Sequence, residues 1–214
     1  MDQVRVLFLD ASRLVLSLLR RDEVARAWDE PSVLREFSVR GLCGHLFRAT
    51  GSVLAYLDRS EPETDPISAP KYYAAAIGEP GPIDLGSDLH RAIRARGDEA
   101  AAAGHGALVS SFTSTIADLA ERLEREPARR KVEVFKGLVL LLDDYLVTRL
   151  VELTVHADDL AQTLGSDAPV FPAGVYDLVF DCLLGVARLR HGDPAVLRAL
   201  TRRERDAVEA LRVL

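Results

Sequence analysis

The sequence predicts an all-α fold, a bundle of four main helices with further helices at its C-terminal end. Apolar residues recur three and four positions apart through most of the 214 residues, which is the spacing of helices with one buried face. No internal repeat, low-complexity tract or Gly/Ser linker divides the chain, and its length suits one hydrophobic core. We therefore expect residues 1–214 to form a single domain.

The first two helices have recognisable ends. The apolar periodicity predicts a first helix over residues 3–21 that can extend to residue 28, before Pro31 and the serine after it break it. Ser38 has the side chain of a helix N-cap, so a second helix is expected to begin there and to reach about residue 57.

The middle of the chain is expected to hold one long connection and one interrupted helix. Residues 60–82 contain five of the ten prolines, which predicts a long irregular segment. A third helix should run from about residue 87 to residue 125, with Gly97, Gly104 and Gly106 as positions where it breaks or bends.

The last part of the chain returns to helical periodicity. Residues 131–138 alternate weakly between apolar and polar and are expected to be extended, and a fourth helix follows over residues 143–164. Gly165 is a suitable C-cap for that helix. Pro172 opens a fifth helix, and a short terminal pair of helices begins at Asp193.

The composition argues against two classes of partner. The formal net charge of −6 disfavours nucleic acid, because binding phosphates requires clustered positive charge. The apolar run over residues 138–142 is far too short to span a membrane.

Two cysteines and the lack of a recognisable signal peptide predict a cytoplasmic protein. We expect small-molecule partners and a monomer or homodimer.

The fourth helix carries the most informative pattern. Four polar residues, Arg149, Glu152, His156 and Asp159, are spaced three, four and three apart, so they line one strip within an arc of about 80°. Most of the remaining circumference of the helix is apolar. The strip is therefore expected to face inward, where unpaired charges are costly.

Two interpretations of this strip compete. Arg149–Glu152 and His156–Asp159 can be ordinary ion pairs along the helix, each contributing a few tenths of a kcal/mol. Alternatively, Glu152 and His156 point from neighbouring turns at one metal ion. His45 favours the second interpretation, because it lies within the apolar stripe of the second helix and would supply a third buried donor from another element.

Two nitrogens and one carboxylate with an open position form the ligand set of catalytic zinc sites. Zinc is therefore favoured over calcium or magnesium, while nickel, iron and manganese stay open. By spacing, Asp159 can accept the second ring N–H of His156, and Arg149 can orient Glu152 or bind an anionic substrate. Cys43 points to another side of its helix and is excluded from the site.

The remaining histidines are weaker candidates. His90 lies near a predicted helix start, His105 lies between Gly104 and Gly106, and His191 lies beside a predicted helix C-terminus, where its ring suits the helix dipole. Tyr72 and Tyr73 fall on the predicted connection, and we expect them to anchor that loop in preference to lining a pocket.

Four segments of the chain are similar to a known family: Trp28 with Pro31-Ser32, FSVRGLCGHL at 37–46, LDDYLVTRLVELTVHADDLA at 142–161, and RHGDPAVLR at 190–198. Through these segments the chain resembles the mycothiol-dependent maleylpyruvate isomerases of the DinB-like superfamily. This resemblance implies an up-and-down four-helix bundle that binds a divalent metal, typically zinc, through His45, Glu152 and His156.

The resemblance also implies mycothiol as a cofactor, with its sulfur at the open metal position as a thiolate. In an isomerase this thiolate adds to a cis double bond and leaves after rotation, and in a transferase it attacks an electrophile. Maleylpyruvate isomerases carry a further C-terminal domain, whereas this sequence ends at Leu214, so we expect a thiol-dependent reaction on another small electrophile. A hydrolase using metal-bound water and a non-catalytic ligand-binding or regulatory bundle are the alternatives.

Overall fold

The computed structural model describes residues 2–77, 86–202, 211 and 213. In these residues the fold is all-α, as predicted, apart from one small hairpin. The α-helices are α1 (Gln3–Leu19), α2 (Asp22–Arg26), α3 (Val39–Leu57), α4 (Ala69–Ile77), α5 (Asp88–Ala100), α6 (His105–Arg125), α7 (Leu142–Thr163), α8 (Ala173–His191) and α9 (Asp193–Thr201). The hairpin pairs β1 (Lys131–Glu133) with β2 (Val139–Leu141) in antiparallel register.

Four long helices form the centre of the molecule. α7 packs against both α1 and α3, and α6 also packs against these two helices. The core between them is closed, because each helix contributes a side chain with no exposed surface: Phe8, Leu46, Phe112 and Leu146. Outside this bundle, α5 covers α3, while α8 packs on α7 and holds α4 against it.

Several of the predicted helix ends are confirmed. The Ser38 hydroxyl caps α3 by accepting the backbone N–H of Gly41 at 3.1 Å. The predicted third helix breaks into α5 and α6 at Gly104, whose φ of 92° lies in the left-handed region that glycine adopts at little cost. Gly165 follows α7 with a φ of 62°, which fits its expected role at the helix C-terminus.

The prediction of an irregular segment over residues 60–82 is wrong for its central part, because α4 lies there. Pro70 is the second residue of α4, where a helix requires no backbone N–H from it. Tyr72 and Tyr73 are buried and give this helix the apolar side that packs on its neighbours. The last predicted residues of the connection, 78–82, lie outside the described residues.

Two smaller differences concern the ends of other elements. The first predicted helix stops at Leu19, and α2 follows as a separate short turn of helix. The segment predicted as extended is β1 followed by a 3-10 turn at Phe135–Gly137, and the second strand continues to Leu141. α9 is the first of the predicted terminal pair, whereas residues 203–210 lie outside the described part. No helix in the described ranges is long and apolar enough to cross a membrane.

Candidate metal centre

Packing of α3 against α7 brings together the three residues predicted to be metal ligands. His45 Nε2 lies 3.0 Å from Glu152 Oε2, and His156 Nε2 lies 3.6 Å from the same oxygen. One donor atom from each residue can be chosen so that all of them lie within 4.8 Å of one another. Glu152 and His156 share a face of α7 because they are four residues apart, whereas His45 reaches them from the neighbouring helix.

These three side chains form part of the wall of a cavity of about 520 Å³. Each is 19% exposed, so the donors are largely withdrawn from bulk water but still reachable from the cavity. A volume of this size suits a small molecule. The site is therefore recessed in a pocket and differs from the surface clusters of acidic groups that are common without a metal.

Asp159 has the contact with His156 that the spacing predicted. The Nδ1–H of His156 donates to Asp159 Oδ2 at 2.9 Å. With its proton held at Nδ1, a neutral His156 ring directs the lone pair of Nε2 toward Glu152 and the cavity. This carboxylate–histidine arrangement is the usual support of a metal-binding imidazole.

Tyr73 is a contact of the site that the sequence analysis did not identify. Its hydroxyl lies 3.0 Å from Glu152 Oε1 and 2.9 Å from the carbonyl oxygen of Thr148. Burial, followed by the negative charge of Glu152, raises the pKa of Tyr73 well above its ordinary value, so the hydroxyl stays protonated. The expectation that Tyr73 anchors a loop is wrong, because it belongs to α4 and lines the cavity with Tyr72.

The charges of the site are strongly coupled. Burial alone would raise the pKa of Glu152, but its contacts with His156 and His45 outweigh this and hold it well below the ordinary value. Burial alone would lower the pKa of His156, but its hydrogen bonds to Asp159 and Glu152 raise it to about 9. Burial lowers the pKa of His45. Of the two imidazoles, His156 is therefore the one whose protonated form the site favours.

Arg149, predicted to orient Glu152 or to bind an anionic substrate, contacts other groups directly in this structure. No ion pair within the described part of the chain joins Arg149 to Glu152. Its Nε donates to the Thr148 hydroxyl at 3.1 Å, and its guanidinium lies 4.9 Å from the centre of the Tyr145 ring. Arg149 nevertheless lines the cavity, and its positive charge is one of the causes that lower the pKa of Glu152, so its role in orienting that carboxylate stays a prediction.

Two further arginines, Arg48 and Arg96, also line the cavity. Neither forms a hydrogen bond or ion pair with any residue that the structure describes. Together with Arg149 they face a cavity in which Glu152 is the one carboxylate among the described lining residues. Arg48 could have been found from the sequence, because it follows His45 by three positions on α3. Arg96 has no comparable signal.

The remaining predicted candidates have separate places. Cys43 is fully buried in the core and does not line the cavity, and burial raises the pKa of its thiol to about 12. His105 contacts the carbonyl oxygen of Leu19 at 2.7 Å, which ties α6 to the end of α1. His191 is the last residue of α8, as expected. His90, which the sequence does not suggest as a site residue, lies in the cavity wall.

The donor set fits a divalent metal ion such as zinc. With zinc–nitrogen and zinc–oxygen bonds of about 2.0–2.1 Å, neighbouring ligand atoms of a tetrahedron lie roughly 3.3 Å apart. The two nitrogen–oxygen distances at Glu152, 3.0 and 3.6 Å, lie on either side of that value. Two imidazoles, one carboxylate and a free side toward a cavity correspond to the ligand set of catalytic sites.

Fold and site together define a helical bundle with a possible His–Glu–His metal site at the wall of its cavity. The family model described as the mycothiol maleylpyruvate isomerase N-terminal domain matches residues 9–161, which include His45, Glu152 and His156. The chain therefore belongs to this mycothiol-associated family. No curated protein and no solved structure matches it.

Proposed function

We propose that the protein is a metal-dependent, mycothiol-dependent transferase or isomerase that acts on a small electrophile carrying an anionic group. The observation that supports this most is the meeting of His45 Nε2, Glu152 Oε2 and His156 Nε2 at the wall of one cavity. The family to which the chain belongs supports the thiol, because its description names mycothiol.

His45, Glu152 and His156 are the residues that would hold the metal, for which zinc is the best match. A bound divalent ion would supply a Lewis acid that lowers the pKa of a coordinated thiol. Asp159 holds the ring of His156 in the orientation that presents Nε2. The partial burial of the three ligands keeps bulk water away from the reacting thiol.

The three arginines of the cavity are the groups that would bind the substrate. All three line the cavity; Arg48 and Arg96 have no carboxylate partner among the described residues, whereas the charge of Arg149 also acts on Glu152. A guanidinium binds carboxylate and phosphate in a bidentate manner, so these side chains can orient an anionic electrophile beside the thiol. The rings of Tyr56, Tyr72 and Tyr145 offer apolar surface to the rest of the molecule.

The first experiment is elemental analysis of protein purified without chelator or metal-affinity resin. We expect close to one divalent ion per chain in the wild type and a clear loss in His45→Ala. His105→Ala is the matched control, because His105 contacts a backbone carbonyl away from the cavity and should leave the metal content unchanged.

The second experiment incubates the protein with mycothiol and a panel of small electrophiles, and follows both the loss of free thiol and the conversion of the electrophile, because an isomerase returns the thiol. Metal-loaded wild type should consume the thiol as a transferase or isomerise the electrophile only when mycothiol is present, whereas His45→Ala should not exceed the uncatalysed rate. Equal rates for the two proteins would contradict thiol transfer. Turnover of esters or amides without thiol would instead support a hydrolase, and binding without any reaction would support a non-catalytic role.

A further inference from the structure

The hydroxyl of Tyr73 has one proton and two acceptors within reach. Glu152 Oε1 lies 3.0 Å away and the carbonyl oxygen of Thr148 lies 2.9 Å away. Both neighbours are oxygens that accept and cannot donate, so the hydroxyl can donate fully to only one of them. The position of this proton decides what holds the carboxylate of Glu152.

The two acceptors are not equivalent. Thr148 and Glu152 are four residues apart in α7, so the Thr148 carbonyl is already the acceptor of the helical N–H of Glu152. The Glu152 carboxylate carries a full charge, and a hydrogen bond to a charged oxygen is about twice as strong as a neutral one. The hydrogen bond from the Tyr73 hydroxyl to Glu152 Oε1 is therefore the more favourable of the two.

The two oxygens of Glu152 consequently have separate surroundings. Both imidazole Nε2 atoms lie next to Oε2, at 3.0 Å for His45 and 3.6 Å for His156. On the basis of the metal site proposed above, we propose that Tyr73 is a positioning residue that holds Oε1, so that Glu152 binds the metal through Oε2 alone.

Tyr73 is well suited to this role because it has little freedom to move. Its side chain is buried, and its ring packs edge to face against Tyr72 with 5.6 Å between the ring centres. α4, which carries it, is packed against both α7 and α8. A carboxylate bound through one oxygen also leaves more of the coordination sphere open to the cavity, where a thiol would bind.

Tyr73→Phe and Tyr72→Phe form a matched pair for the test. Each removes one hydroxyl from a buried tyrosine of α4 that lines the cavity, but the Tyr72 hydroxyl donates to no residue that the structure describes. Affinity for Co²⁺ should be measured by chelator competition, and the visible spectrum of bound Co²⁺ reports its coordination. We expect Tyr73→Phe to bind about tenfold more weakly or worse with an altered spectrum, and Tyr72→Phe to match the wild type.

The outcomes separate this proposal from the proposed function. If wild type binds no Co²⁺ or Zn²⁺, the metal site itself is wrong and this inference fails with it. If wild type and Tyr73→Phe bind equally with the same spectrum, the positioning role alone is overturned. A crystal structure of the metal-loaded wild type gives a test that does not depend on folding of a variant, and a bidentate Glu152 would also overturn the proposal.

Discussion

Gly44 on α3 lies directly against Gly97 on α5, so closely that a Cβ on Gly44 would overlap the carbonyl oxygen of Gly97. The space at Gly97 is equally restricted, because a Cβ on that residue would lie 2.6 Å from the carbonyl oxygen of Gly41 on α3. The two helices therefore meet backbone to backbone. Gly44 precedes the proposed metal ligand His45, and α5 carries Arg96 into the cavity wall.

Gly44→Ala should therefore lower the free energy of unfolding by about 1–3 kcal/mol, because the added methyl group must push α5 away from α3. Gly51→Ala is the control on the same helix, since its Cβ would lie at an ordinary 3.6 Å from the Phe47 ring. Better helix propensity should make that variant neutral or more stable by up to about 1 kcal/mol. Urea unfolding measures both, and equal effects of the two substitutions would contradict the backbone contact.

Asp159→Asn should weaken metal binding by about tenfold, because it removes the charged acceptor that holds the His156 ring. Asp158→Asn is the adjacent control. Its carboxylate accepts a hydrogen bond from the exposed Gln162 side chain and does not contact the site. Chelator competition with Zn²⁺ gives both affinities. An equal loss in the two variants would mean that surface charge, and not the contact with His156, determines the affinity.

The metal-free protein should lose a stabilising contribution of His156 at alkaline pH. Its pKa is raised from an ordinary 6.5 to about 9, so the folded state holds this proton more tightly than the unfolded chain. The contribution is fully present below pH 6.5 and is lost as the pH rises through about 9. Urea unfolding of chelator-treated wild type and His156→Gln should give a stability difference that shrinks across this window. A constant difference would contradict the raised pKa.

Over the same pH window, the apparent affinity of the protein for a metal ion should increase, whereas the stabilising contribution of His156 decreases. A metal ion must displace the proton of His156, so its apparent affinity should rise with pH by up to about tenfold per pH unit and level off near the pKa. Asp159→Asn removes the negative charge of one of the two carboxylates that raise this pKa, so levelling should begin at a lower pH. Zn²⁺ competition titrations between about pH 7 and pH 9.5 measure this, and a flat profile in the wild type would exclude a protonated His156.

Arg48→Gln and Arg96→Gln should each raise KM for an anionic electrophile by about tenfold while leaving KM for an uncharged analogue unchanged, since each removes a charge-assisted contact. Arg91→Gln is the control on α5, because Arg91 is paired with Asp88 at the surface and is not part of the cavity wall. Steady-state kinetics with an acid and its neutral ester separate the two effects. Parallel losses for both substrates would indicate a structural defect.

Local sequence was sufficient for the four long helices of the bundle and for the members of the candidate site that lie on α7. A helix places residues four apart on one face, so Glu152 and His156 had to be neighbours once α7 was predicted, and Asp159 followed one turn later. The N-cap at Ser38 and the helix break at Gly104 could likewise be predicted, because helix capping and a left-handed backbone conformation depend on the type of the residue itself.

Tertiary packing determined the side-chain contacts between different helices. His45 reaches Glu152 because α3 lies against α7, a contact between residues 107 positions apart that periodicity allows but does not require. α4 was missed because its prolines suggested an irregular segment, and with it the bond from Tyr73 to Glu152. The sequence by itself determined the four long helices and which of their faces are polar, whereas only the packing of the helices determined which polar groups share one cavity, because such contacts depend on how separate apolar faces fit together.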